Sequence, residues 1–413
     1  MNWRAWLGLI AFVRVAACAD IDPVVLLAHV RAKVVDDAKR IPRYVCRQQI
    51  ERRIYLPDTR RRPKCPTSLP EPGSDAPPGT RLSSTDRAKL DVMLSNGSEL
   101  FAWPGGRAFT AEDPGALLVG GMSGSGDFAS FRIDIFTNPQ AVIHYEAPCG
   151  ASCARFDYEV PLASSHYVLT TARGSGKVGY RGTFDADSRT AEIVRFTVNA
   201  TDVQQAIPSA CGVRTRISYA SADRFMMPSL TEKYVVLTDG SHLQSKTAYQ
   251  GCRQYSAEST ISFDDDSASA ASDGASAPTV LPAPQTTLEV RLRSKINADT
   301  GSAGDAIEGI LTRSVRDNRG GSIPRGTVVR GHLAQLAEQY TPTSGPPFAR
   351  PRTYPPREVM LVTLRFDSIV LGGREVPITL EPEGDADEHG RGVFYFPNTK
   401  AIGQEFVSKW RVR

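Results

Sequence analysis

The stretch KLDVMLSNGSELFAWPGG, Lys89 to Gly106, holds two runs of alternating apolar and polar residues joined by Asn96-Gly97. Successive side chains of a strand point to opposite faces, and Asn-Gly suits the two-residue turn that joins antiparallel strands. The stretch predicts a β-hairpin. KYVVLTDGSHLQSKTAY (233–249) repeats the pattern around Asp239-Gly240. FRIDIF (131–136), AVIHYEA (141–147), ARFDYEVPL (154–162), HYVLTTA (166–172), VGYRGTF (178–184), EIVRFTV (192–198) and RTRISYA (214–220) read as further strands of one antiparallel meander.

Upstream of the meander the period changes. Asp22-Pro23 opens a predicted helix, with Asp22 as N-cap, Pro23 at the first helical position, and Leu27, Val30, Val34, Ala38 and Ile41 along one stripe. Pro42 closes it. Downstream, TTLEVRLRSKI (286–296), TVVRGHLAQL (327–336), EVMLVTLRFDSIVL (358–371) and REVPITL (374–380) are again strand-like. Residues 340–357 form a proline-rich excursion, and 392–413 read as a closing hairpin whose Phe394, Phe396, Phe406 and Trp410 pack on the rest. The predicted class is α+β, mostly β: an N-terminal helix on a curved antiparallel sheet, then a small C-terminal β-barrel or sandwich.

The chain has 413 residues, long for one compact core. Between its halves, DDDSASAASDGASAPTVLPAPQ (264–285) has too few apolar residues to offset the entropy of ordering and reads as a disordered linker, stiffened at its exit by Pro282 and Pro284. The expected divisions are a signal peptide (1–19), a sheet domain (20–263), the linker (264–285) and a barrel domain (286–413).

MNWRAWLGLIAFVRVAACAD has the basic start, short apolar run and small residues of an export signal, and the run is too short to span a bilayer. Ala17-Cys18-Ala19 fits ordinary signal peptidase, whereas Val15-Ala16-Ala17-Cys18 resembles a lipobox, which would make the chain an outer-membrane lipoprotein through Cys18. The first reading, a periplasmic or secreted protein with no transmembrane helix after signal removal, is preferred because Arg14 interrupts the apolar run. Six cysteines remain, Cys46, Cys65, Cys149, Cys153, Cys211 and Cys252, and an even number in an exported chain points to disulfides. Sequence order suggests Cys46 with Cys65 and Cys211 with Cys252. Cys149 and Cys153 flank a turn between two strands and read as a staple across a hairpin mouth, not as a metal or redox site.

A formal net charge of +4 argues against a nucleic-acid partner. Arg43 to Arg53 and Arg60-Arg61-Arg62 with Lys64 read as solvated charge. Gly174-Ser-Gly176-Lys-Val-Gly179 matches a dinucleotide fingerprint by letters, but the strand-like VGYRGTF after it makes these hairpin glycines. Gly120 to Gly126 reads as a flexible loop. His144 and His166 with the cysteine pair lack a metal-ligand pattern, no metal or other cofactor is implied, and no catalytic set emerges. A cluster of His166 with Asp157 and a serine is the arrangement that would revive an enzyme reading.

Two resemblances follow. Residues 22–263, with the leading helix, the meander and Tyr180-Arg-Gly-Thr-Phe184 followed by Ala191-Glu-Ile-Val-Arg-Phe196, resemble the LolA and RseB group of periplasmic proteins. Residues 286–380, with Gly304-Asp305, Ile323-Pro324-Arg-Gly326-Thr-Val-Val-Arg-Gly331, Leu364-Arg-Phe-Asp-Ser-Ile369 and Gly373-Arg-Glu-Val-Pro-Ile378, resemble the small barrel of TrbI-type proteins. The first resemblance implies a sheet wrapped around a helix. The expected function is that of a non-enzymatic cell-envelope binding protein, holding a lipid or lipoprotein acyl chain or docking an envelope protein. Leu117, Leu118 and Met122, with Phe225, Met226 and Met227, are the candidate cavity rim. The alternative is an envelope scaffold with no small ligand, which a solidly packed N-terminal core would favour.

Overall fold

The computed structural model describes residues 22–40, 44–58, 65–74, 76–95, 98–106, 109–110, 123–124, 130–171, 174–222, 225–254, 281–341, 357–383 and 392–413. The signal segment, most of the linker, the proline-rich excursion, the Arg60 to Lys64 cluster, and Leu117, Leu118 and Met122 lie outside these residues.

Eighteen strands join in one sheet. The N-terminal half supplies β1 (Tyr44–Pro57), β2 (Thr80–Ser95), β3 (Ser98–Ala102), β4 (Val142–Gly150), β5 (Cys153–Val160), β6 (Gly179–Asp187), β7 (Ile193–Thr201), β8 (Ala210–Ala222), β9 (Phe225–Leu237) and β10 (His242–Gln254). All pairings are antiparallel, and β4 to β10 follow one another side by side. From β10 the sheet returns to β1, then β2, then β3. The opening stretch is a hairpin as expected: β2 and β3 pair out to Ser95 and Ser98, which leaves two residues for the turn. Gly174, Gly176 and Gly179 lie in strands, as their hairpin reading requires.

Helix α1 (Pro23–Arg40) starts as its cap predicts, with the Val24 amide donating to Asp22 Oδ1 at 2.8 Å. Its buried stripe is Leu26, Val30 and Val34; Leu27 is only half-buried and Ala38 is exposed. The stripe starts one residue earlier than expected because Leu26, and not Leu27, is four residues from Val30. FRIDIF is also a correction. It forms helix α2 (Ser130–Thr137), burying Phe131, Arg132, Ile135 and Phe136. Those spacings of one, four and five trace one helical face, so packing overrode the strand-like composition. A one-turn helix, α3 (Val203–Ala206), precedes β8.

Beneath α1 and α2 the sheet presents stacked and edge-on aromatics: Phe156 on Phe184 at 5.1 Å, Tyr158 on Phe196 at 5.0 Å, and Phe131 against Tyr167 at 4.7 Å. Phe156, Tyr158, Phe184 and Phe196 are all at most 2% exposed, so the space between helix and sheet is filled.

The C-terminal half supplies β11 (Thr287–Leu292), β12 (Ala306–Leu311), β13 (Val328–Thr341), β14 (Arg357–Leu371), β15 (Arg374–Pro377), β16 (Leu380–Pro382), β17 (Val393–Pro397) and β18 (Val407–Val412). Pairings run from β18 through β11, β12, β13 and β14 to β15, while β16 pairs back to β18. Among the described residues the ring is interrupted between β15 and β16, and no uninterrupted closed barrel is seen. β17 pairs with β14 and β18 with β11, so the expected closing hairpin is two strands with different partners. The aromatic packing holds: Phe394 and Phe396 meet Phe406, and Trp410 meets Phe366.

The halves are not simply tethered. β13 pairs with β2 through Ala337 and Asp86, Glu338 and Thr85, and Gln339 and Ser84. Next to it the Ser302–Asp305 turn lies on the same edge of β2: Ala303 donates to Arg87 O, Lys89 donates to Ala303 O, and Lys89 Nζ meets Asp305 Oδ1. Gly304 is required here. Its φ is +90°, and a Cβ would fall 2.4 Å from Lys89 O. Trp103 of the opening stretch packs on His332 with ring centroids 4.7 Å apart, extending the seam.

Candidate functional site

Three disulfides form: Cys46–Cys252, Cys65–Cys211 and Cys149–Cys153. The last is the expected staple at the mouth of the β4–β5 hairpin, offset by a bulge that sets Gly150, not Cys149, opposite Cys153. Asp185 lies near these sulfurs, but bonded sulfurs offer no thiolate to a metal. The other two pairs correct the sequence-order assignment. β1 and β10 are neighbours, which brings Cys46 to Cys252, while the Cys65 segment crosses to β8, where Arg214 Nη1 donates to Leu69 O at 3.0 Å. Three disulfides place the chain in an oxidising compartment. No helix among the described residues is long and apolar enough to cross a membrane.

The residues expected to rim a cavity are divided between two packed clusters. Met226 is in the main core, where its carbonyl accepts from the buried Arg132 guanidinium at 3.1 Å, and that guanidinium lies 5.3 Å from the Tyr219 ring centroid. Phe225 and Met227 pack instead with Tyr44, Cys46, Val92 and Tyr249. Asp37 of α1 feels two opposed influences: burial raises its carboxyl pKa, and the Arg132 charge pulls it back.

His166 does not meet Asp157. Its Nδ1 lies 2.9 Å from Asp134 Oδ1, and Tyr180 donates its hydroxyl to Asp134 Oδ2 at 2.6 Å. Burial, then the Asp134 carboxylate, push the Tyr180 phenol far above its usual range. The neighbouring serines are used locally: Ser164 donates to Pro161 O, and Ser165 Oγ accepts from the Tyr167 amide. The group positions an exposed imidazole, and among the described residues neither Ser164 nor Ser165 is hydrogen-bonded to it.

The basic run on β1 is largely neutralised. Arg47 pairs with Asp91, Arg52 with Asp86 and Arg53 with Glu51. Arg52 and Arg53 point to opposite faces, so the run divides into a solvent side and a buried side. Comparison with family models, curated proteins and solved structures finds no match to this chain.

Two surfaces stand out. The first is the outer face of α1, a groove of about 600 Å³ lined by Val24, Leu27, Ala28, Ala32 and Val35, with Arg31, Asp36 and Lys39. Val24 is 75% exposed. Asp36 is engaged by Arg40, whereas Arg31 and Lys39 have no ion-pair partner among the described residues. The second is a polar row on the sheet face that also carries the core. Thr215 of β8 is directly opposite Lys233 of β9, Lys233 opposite Ser245 of β10, Ser245 opposite Arg52 of β1, and Arg52 opposite Asp86 of β2. Directly opposed residues share a face. Thr215, Lys233 and Arg52 are all at least nine-tenths buried. Nothing in the sequence marks this row, because it depends on the register of strands nearly 200 residues apart. Near it, burial lowers the His242 pKa, and its Nδ1 meets the Tyr234 hydroxyl at 2.8 Å.

Proposed function

We propose that the chain is an exported cell-envelope binding protein that docks a partner protein on the outer face of α1. The observation that carries this is the distribution of apolar residues on one helix: Leu26, Val30 and Val34 are spent in the core, while a second stripe keeps Val24, Ala28 and Ala32 exposed and Leu27 and Val35 half-buried. An open groove suits an amphipathic helix laid along it better than an acyl chain, which needs enclosure over most of its surface. Arg31 and Lys39 give that helix a sign, since acidic residues beside its apolar stripe would meet them. The filled space beneath α1 favours docking over storage of an acyl chain under the helix, and gives equal support to a scaffold without a small ligand. The C-terminal half serves as a platform held to the sheet edge by the seam.

Photo-crosslinking separates these readings. A benzophenone side chain at Ala28 or Ala32 should capture an apolar segment with acidic flanks in the intact envelope, whereas the same probe at exposed Arg189 should not. A synthetic peptide of that segment should bind the purified chain at least tenfold more weakly after Arg31→Glu with Lys39→Glu. Equal capture at all three positions, or crosslinks only within the chain, defeats the proposal.

A further inference from the structure

The C-terminal half carries a two-stranded hairpin outside the main sheet, Val315–Arg316 paired with Ser322–Ile323. Val315 and Ile323 stand opposite each other and are buried in the C-terminal core, which roots the hairpin. The incoming chain pins it further: the Asn318 amide donates to Leu281 O at 2.8 Å, and the Ala283 amide to Arg316 O at 3.0 Å. At its base the Gly326 amide donates to Leu311 O at 2.9 Å, which sets Arg313 and Arg325 at the root, with Arg316 and Arg319 beyond them. All four arginines are exposed. Arginines of the neighbouring sheet are engaged, Arg330 by Glu308 and Glu375, Arg411 by Glu383 and Arg413 by Glu381. None of the four on the hairpin has an ion-pair partner among the described residues. The one acid of the stretch, Asp317, serves its own turn, where its Oδ1 accepts from the Arg319 and Gly321 amides at 2.8 and 2.7 Å. Thr312 to Thr327 therefore has a net charge of 4 − 1 = +3, in a chain whose whole net charge is +4.

Between the arginines Ser314, Asn318, Gly320, Gly321, Ser322 and Pro324 are exposed as well, so the guanidinium groups stand on an outward surface and not in a groove. A linear polyanion is held by a charged groove that tracks its backbone, and the adjoining sheet, with its arginines paired, offers no continuation of the charge. A plane of phosphates makes no such demand. We propose that this hairpin is a docking surface for an anionic phospholipid membrane, with Arg313, Arg316, Arg319 and Arg325 meeting head-group phosphates. Arginine suits that partner, because its planar fork matches phosphate oxygens two at a time. The hairpin presents no exposed large apolar side chain, so the contact is electrostatic and peripheral and weakens as salt shortens the reach of the field. It uses no residue of α1, so its failure would leave the docking proposal untouched.

Co-sedimentation of the full chain with vesicles tests this. Vesicles of equal parts phosphatidylglycerol and phosphatidylcholine should retain the chain, phosphatidylcholine alone should not, and raising the salt from about 0.1 M to about 0.5 M should release it. Arg316→Gln with Arg319→Gln should weaken binding about 30-fold, while the same loss of charge at exposed Arg189 and Arg253 should leave it within about twofold. Arg316→Lys with Arg319→Lys, which keeps the charge, should restore most of the affinity, and unchanged thermal midpoints show that each variant folds. The inference is overturned if anionic vesicles bind no better than neutral ones, or if the Arg189 and Arg253 pair matters as much as the hairpin pair. It is equally overturned if the chain binds heparin and not the anionic vesicles, which would make a linear polyanion the partner.

Discussion

Replacing Cys46 and Cys252 together by serine is expected to lower the stability of the oxidised chain by about 4 kcal/mol, against about 2 kcal/mol for Cys149 with Cys153. The difference comes from loop length in the unfolded chain. Cys46 and Cys252 are 206 residues apart; Cys65–Cys211, nested inside, spans 146, which leaves 206 − 146 = 60 residues of loop to be closed by the outer bond. Cys149–Cys153 spans only 4. Urea unfolding of the two double variants measures the order directly. A larger loss at the Cys149 pair would contradict this topology, as would non-reducing peptide maps joining Cys46 to Cys65.

Phe184→Ala is the second substitution with a large expected effect, a loss of about 3–5 kcal/mol. Phe184 is fully buried, stacked on Phe156 at 5.1 Å and met edge-on by Phe136 at 5.5 Å. Truncation therefore leaves a hole among rings that cannot all move into it. The measurement also bears on function. A ligand cavity under the helices would let the neighbouring rings relax, and the same change would fall at or below the lower end of that range. Chemical denaturation of the variant distinguishes a filled core from a hidden pocket.

What could be read from the sequence was local. Asp22 and Pro23 fix the start of α1 by their own chemistry, and Asp239-Gly240 turns a hairpin, with Gly240 at φ +86°. Gly372-Gly373 does the same between β14 and β15, both residues having positive φ. Features that depend on pairing between distant strands were not legible. Arg52 belongs by composition to a solvated basic run, yet the alternation along β1 turns it inward while Arg53 faces out. Cys46 finds Cys252 only because the meander returns β10 to β1. FRIDIF has a strand's composition, and the need to cover the aromatic face of β5 to β7 turned it into a helix. Of the candidate rim, Phe225, Met226 and Met227 carried a real signal of burial, but a run of three apolar residues does not say which of two clusters each side chain will join.

The seam between β2 and β13 changes what the connecting segment 264–280 is for. With Ser302–Asp305 and β13 laid along one edge of β2, the halves share backbone hydrogen bonds, an ion pair and the Trp103–His332 contact. The connection is thus covalently redundant in the folded protein. A single protease cut there should yield two fragments that still elute together from a sizing column without denaturant, and lengthening the segment should leave the melting temperature almost unchanged. Selection on that stretch would then bear on its solubility and its resistance to degradation, leaving its length and order free to drift.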